Sequence, residues 1–149
     1  MDPYFVKDDE LRDSLRRDVS AAIRALNNSE WKAATVLAGA TIEALLHWKL
    51  QEPPITSASL DAAVKALVAA NKSTKPNSDI DYWTLHHFVE IAAHLKVITD
   101  DTTTEVRLAQ NFRNLIHPGR AARLNQTCDR GTAYSAIGAL DHVIRDVGR

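Results

Sequence analysis

Apolar residues recur three and four positions apart along most of the chain, and no segment alternates as a half-buried strand would. This spacing predicts an all-α protein. We expect an antiparallel bundle of four long helices plus one or two short helices, in a single domain of residues 1–149. The pattern places the helices at about Asp9–Leu26, Glu30–Leu50, Leu60–Asn71, Asp81–Lys96, Thr103–Ile116 and Asp129–Val147.

Residues that favour turns and caps set the predicted ends of these helices. Ser29 is suited to cap the second helix. We expect residues 100–102, Asp-Asp-Thr, to form a turn before the fifth helix, and residues 117–119, His-Pro-Gly, to end that helix. The second helix is rich in alanine and glycine, so its neighbours can approach it closely, and we expect it at the centre of the bundle.

The distribution of charge singles out the C-terminal third of the chain. The whole chain has a net charge of −1, yet residues 106–128 contain four arginines and no acidic residue. These arginines are Arg107, Arg113, Arg120 and Arg123. Clustered guanidinium groups suit an anion, above all a phosphate. Since the chain as a whole is not basic, any contact with nucleic acid should be confined to this segment.

Three polar residues in this segment have side chains that suit phosphate chemistry. Arg113 and His117 are four positions apart, so on one helix they share a face, with Asn114 beside them. Arginine binds phosphate through a planar fork, and histidine can move a proton near neutral pH. Together they supply the types of side chain that metal-free RNA cleavage requires, in which the ribose 2′-oxygen attacks the neighbouring phosphate. One helix supplies one imidazole, whereas a two-fold dimer would supply two.

The same residues carry a family resemblance. Arg113-Asn114 followed by His117 near the end of a late helix resembles the motif of the HEPN superfamily, and residues 33–46 are similar to the central helix of HEPN-like bacterial proteins. The resemblance implies a helical bundle and a homodimer that pairs the two motifs. It also implies metal-independent endoribonuclease activity, as in many members, which often act as toxins with an antitoxin partner or as antiviral effectors.

The resemblance also implies a role for each residue. Arg113 would bind the scissile phosphate of RNA, Asn114 would orient it and His117 would transfer protons. Arg107, Arg120 and Arg123 are the further candidates for RNA binding. In this chain three residues separate the arginine from the histidine, where the family's usual active motif has four to six.

Several other interpretations stay open from the sequence. The superfamily has non-catalytic members that bind RNA or serve as interaction modules, and in such a protein the motif would be structural. Glu43 lies in an apolar stretch, so we expect it to pair with Arg113 or Arg107. Two Glu/His pairs four residues apart, Glu43/His47 and Glu90/His94, also suggest a metal site. Ion pairing along an exposed helix face is the commoner explanation of that spacing, and we predict no metal and no cofactor.

Composition restricts the remaining possibilities. A single cysteine, Cys128, excludes an internal disulfide and fits a reducing compartment. The N-terminal residues lack the basic and apolar regions of a signal peptide, and no apolar run is long enough for a membrane span. We therefore expect a cytoplasmic protein without membrane contact. Trp31, Trp48 and Trp83 are expected to be core or interface anchors, because aromatic side chains bury large areas.

Overall fold

The computed structural model describes residues 1–124 and 126–149, and within those ranges the chain is all-helical, without a strand. This confirms that the protein is all-α, as predicted. The helices are α1 Asp9–Asn27, α2 Trp31–Lys49, α3 Ser57–Ala69, α4 Leu85–His94, α5 Asp100–Arg113, α6 Pro118–Leu124 and α7 Arg130–Val147. Two 3₁₀ helices, Ile80–Tyr82 and Asn114–Ile116, precede α4 and follow α5 respectively.

Helix α2 lies at the centre, as its composition predicts, and packs against α1, α7, α4 and α5. Ala34 and Ala38 are completely buried, so the neighbouring helices approach its backbone closely. The buried hydroxyls of Thr35 and Thr41 donate hydrogen bonds to main-chain carbonyls one turn earlier, which removes the cost of burying them. Beyond the small residues, Ile42 and other fully buried branched side chains fill the core.

Helix α5 begins at Asp100, three residues earlier than the sequence pattern predicts. The predicted turn at residues 100–102 is therefore wrong. Thr99 is the actual N-cap, and its hydroxyl accepts a hydrogen bond from the main-chain N–H of Thr102. Asp100 and Asp101 occupy the first turn, where negative charge is favourable beside the positive end of the helix dipole.

Asp146 of α7 holds the start of α5 in place. Its carboxylate, 2% exposed, accepts hydrogen bonds from the main-chain N–H of Thr99 at 3.0 Å and from Nε of Arg145 at 3.2 Å. Burial by itself would raise the pKa of Asp146, but polar contacts with Thr102, Thr99 and Arg145 outweigh it, so the pKa is lowered. The charged carboxylate thus joins α5 to α7.

Three other predicted boundaries also move. Ser29 does not cap α2; it adopts a left-handed backbone conformation, with φ of 62°, in the turn that closes α1, and Glu30 is the capping position. Helix α3 starts at Ser57 behind a Thr56–Ser59 capping box. Helix α4 starts at Leu85 rather than Asp81, because the preceding residues form a 3₁₀ helix that ends at Tyr82. Among the residues that the structure describes, no helix is both long and apolar enough to cross a membrane.

Candidate functional site

Arg113, the last residue of α5, is held against α2. Its Nη1 donates a hydrogen bond to Oε2 of Glu43 at 2.7 Å, and both side chains are about one-third exposed (32% and 33%). The aliphatic part of Arg113 crosses α2 at Gly39, where an added Cβ would lie 3.0 Å from the Arg113 Cδ. Gly39 thus leaves space for the aliphatic part of Arg113, and Glu43 holds the Arg113 guanidinium group.

His117 does not share a helix face with Arg113, which overturns the expected arrangement. Helix α5 ends at Arg113, a 3₁₀ turn follows, and His117 is extended, with φ of −83° and ψ of 114°. The cause is Pro118, because a residue before proline is sterically kept out of the α-helical region. Proline is well tolerated as the first residue of a helix, so Pro118 begins α6 instead of ending the chain of helices.

The 3₁₀ turn that separates these two residues is anchored in the protein. Leu115 is buried in this turn, and the preceding Asn114 is half-buried. The main-chain N–H of Asn114 donates back to carbonyls of α5, those of Gln110 and Phe112. The position of His117 relative to Arg113 is therefore set by a packed turn.

Three side chains of the arginine-rich segment reach solvent beyond this turn. His117, Arg120 and Arg123 are all exposed, and we call residues 117–123 the α6 segment. The main-chain carbonyl of His117 accepts hydrogen bonds from the N–H groups of Arg120 and Ala121, both at 3.0 Å, so His117 opens α6. Arg120 and Arg123 are three residues apart on the helix and project to the same side.

Arg107 is directed elsewhere. Its Nε and Nη2 donate to the two oxygens of Glu90, on α4, at 2.8 and 2.7 Å. Arg113, six residues later, binds a carboxylate of α2, so the two arginines contact different helices. The structure thus brings Arg107 together with a buried acid and separates it from the Arg113–Glu43 pair.

A cavity of about 340 Å³ lies beside Glu43 and was not foreseen from the sequence. Its walls include His47, Asp81, Trp83 and Phe88. His47 Nε2 lies 2.9 Å from a carboxylate oxygen of Asp81, and the Trp83 indole N–H donates to the carbonyl of Asn77 at 2.8 Å. Trp83 is far from Glu43 in the sequence, so no local pattern indicates that the two residues lie beside one cavity.

The carboxylates of both Glu/His pairs bind arginines. Glu43 binds Arg113, and Glu90 binds Arg107. Within residues 1–124 and 126–149, no group of three or more histidine, cysteine, aspartate or glutamate side chains is placed to hold a metal ion.

Cys128 lies in the connection between α6 and α7. Its Sγ is 3.6 Å from the main-chain carbonyl of Phe112. Burial raises the pKa of its thiol, which keeps it protonated and poorly nucleophilic at neutral pH.

No protein-family model, no curated protein and no solved structure matches this chain.

Proposed function

We propose that this chain is an RNA-directed, HEPN-like protein that works as a homodimer of four-helix antiparallel bundles, with α1, α2, α5 and α7 as the long helices. The observation that carries the proposal is the α6 segment: an exposed imidazole, His117, followed by two exposed guanidinium groups, Arg120 and Arg123. No acidic residue lies within ten positions of His117 on either side. Such a surface suits an RNA backbone, whose phosphates bind arginine strongly.

The proposed reaction is metal-independent cleavage of RNA. One His117 accepts the proton of a ribose 2′-hydroxyl, and the 2′-oxygen attacks the adjacent phosphorus. The bond from phosphorus to the 5′-oxygen breaks, and a second imidazole protonates the leaving oxygen. The products are a 2′,3′-cyclic phosphate and a free 5′-hydroxyl. Because each protomer contributes one His117, we propose that two α6 segments face each other across a two-fold axis.

Arg113 and Asn114 have supporting parts in this proposal. The Arg113 guanidinium carries five N–H groups, and its Nη1 already binds Glu43. The remaining donors would bind the scissile phosphate, while Asn114 orients it. The cavity beside Glu43 would receive a neighbouring base against Trp83, since aromatic rings stack on unpaired bases.

One observation favours a second candidate, a non-catalytic dimerisation, protein-interaction or RNA-binding module. The fit of Arg113 over Gly39 and its bond to Glu43 join α5 to α2. In that case the motif serves to hold the two helices together.

Under the first proposal the protein belongs to a toxin–antitoxin or antiviral system and acts in the cytoplasm.

The test is incubation of purified protein with labelled single-stranded RNA in the presence of EDTA. We expect cleavage by the unaltered protein and none by His117→Ala. His86→Ala is the matched control, because His86 is a half-exposed histidine on α4 outside the α6 segment, and it should cleave normally. Absence of cleavage of any RNA by the unaltered protein would favour the structural alternative.

Expression in a bacterial host gives a second readout. Induction of the unaltered protein should slow growth, and induction of His117→Ala should not. Equal growth of both strains, with equal amounts of protein, would contradict a toxin role.

A further inference from the structure

A second cationic site lies outside the α6 segment, in a cleft of about 350 Å³ between α4, α5 and the end of α3. Its walls include the charged or titratable side chains of Lys72, Glu90, His94, Lys96, Asp100 and Arg107. A cleft of this size can hold a small molecule. No step of the proposed RNA chemistry uses it.

The cleft is built around an arginine that is fixed in place. Glu90 is nearly buried, with 7% of its side chain exposed, whereas the side chain of Arg107 is 51% exposed. Two hydrogen bonds join Nε and Nη2 of Arg107 to the two oxygens of Glu90. This pairing holds the guanidinium plane rigidly and occupies one of its two forks. The other fork, formed by Nη1 and the second hydrogen of Nη2, remains for another oxyanion.

The charges around the cleft favour an anion. Of the residues that the structure describes, the carboxylates lining the cleft are Glu90 and Asp100. Glu90 is neutralised by Arg107, and Asp100 pairs with Lys96 at 3.1 Å. Lys72 then adds a positive charge, and the ring of His94 offers a further hydrogen-bond donor. An incoming anion therefore meets a net positive wall.

We propose that this cleft binds a small phosphate monoester, whose phosphate is held by the free fork of Arg107 and by Lys72 and His94. A phosphate dianion matches this set better than a single carboxylate does, because it presents three oxygens to several donors. The Arg107–Glu90 pair positions the fork in advance, so binding requires little ordering of side chains. The site is independent of the α6 segment and of RNA cleavage.

The test is titration of the full chain with ribose 5-phosphate, followed by calorimetry and by amide chemical shifts. We expect saturable binding, with shifts confined to α4, α5 and the end of α3. Arg107→Lys keeps the charge but loses the fork, and it should weaken binding about tenfold or more, as expected for a lost charge-assisted pair. Lys72→Ala should weaken binding as well, and because Lys72 is exposed this change should not disturb folding.

Four controls decide between the possible outcomes. Lys65→Ala removes an exposed lysine of α3 that does not line the cleft, and it should bind ribose 5-phosphate normally. Inorganic phosphate should compete, whereas succinate should bind much more weakly. Absence of saturable binding, equal binding of succinate, or unchanged binding by both Arg107→Lys and Lys72→Ala would overturn the proposal. His117→Ala should bind normally, which separates this site from the proposed RNA function.

Discussion

The contact between Arg113 and Glu43 supports a quantitative prediction about stability. Arg113→Met removes the charge but keeps an unbranched stem over Gly39, and Glu43→Gln removes the negative charge at nearly constant shape. Both side chains are about one-third exposed, and their atoms are 2.7 Å apart. Fully exposed ion pairs contribute about 0–1 kcal/mol, and breaking a buried pair costs about 3–5 kcal/mol. For this intermediate case we expect a coupling free energy of about 1 kcal/mol.

The assay is a double-mutant cycle measured by urea unfolding of the native chain, the two single variants and the double variant. The more exposed pair Arg16–Asp2, at 2.9 Å, is the control, and its coupling should be the smaller of the two because solvent screens it more strongly. Added salt should lower both couplings, because it screens exposed charges. If the Arg113–Glu43 coupling were no larger than that of Arg16–Asp2, the pair would not act as a lock between α5 and α2.

Three further predictions concern other contacts. Gly39→Ala should not show the increase in stability of about 0.5–1 kcal/mol that is usual for this change within a helix, because the new methyl group meets Arg113 Cδ at 3.0 Å. Urea unfolding should show this increase when Gly39→Ala is made in an Arg113→Ala background. The pKa of Asp146 is lowered in the folded protein, so its carboxylate adds stability above about pH 4, and this stability is lost on acidification. The free energy of unfolding should therefore differ less between pH 6 and pH 3 in Asp146→Asn than in the native chain, and an equal difference would contradict this. Arg107→Ala leaves the nearly buried carboxylate of Glu90 without its partner and should lower the free energy of unfolding by about 2–3 kcal/mol. The double variant Arg107→Ala with Glu90→Leu should recover part of that loss, and a single variant as stable as the native chain would refute the anchoring role.

The helices of this chain are largely predictable, and their ends are less so. Long stripes of apolar residues define α1 and α7 because helical periodicity and burial coincide there. The sequence pattern does not predict the start of α5, because Asp100 and Asp101 favour turns and also favour the first turn of a helix. Thr99 decides between these two, since it can cap the helix and contact Asp146 of α7.

The candidate site, too, is predictable where local sequence effects decide its structure and unpredictable where the packing of helices decides it. The effect of Pro118 on His117 is local and can be derived from the sequence. Proline both ends one helix and suits the first position of the next, and the sequence pattern predicts only the first of these two roles for Pro118. The need of Glu43 for a cation also follows from its apolar surroundings. Which arginine it binds depends on how α5 is rotated against α2, and no local pattern contains that rotation.

The proposal that two protomers jointly form one RNA-cleaving site is tested most directly by mixing subunits. The native chain and His117→Ala, unfolded and refolded together at varied ratios, should form dimers at random. If both imidazoles are required, activity in EDTA should fall with the square of the native fraction, to about one quarter at equal amounts. A linear decrease, to about one half, would mean that each protomer acts alone, and no cleavage at any ratio would contradict the RNA function itself.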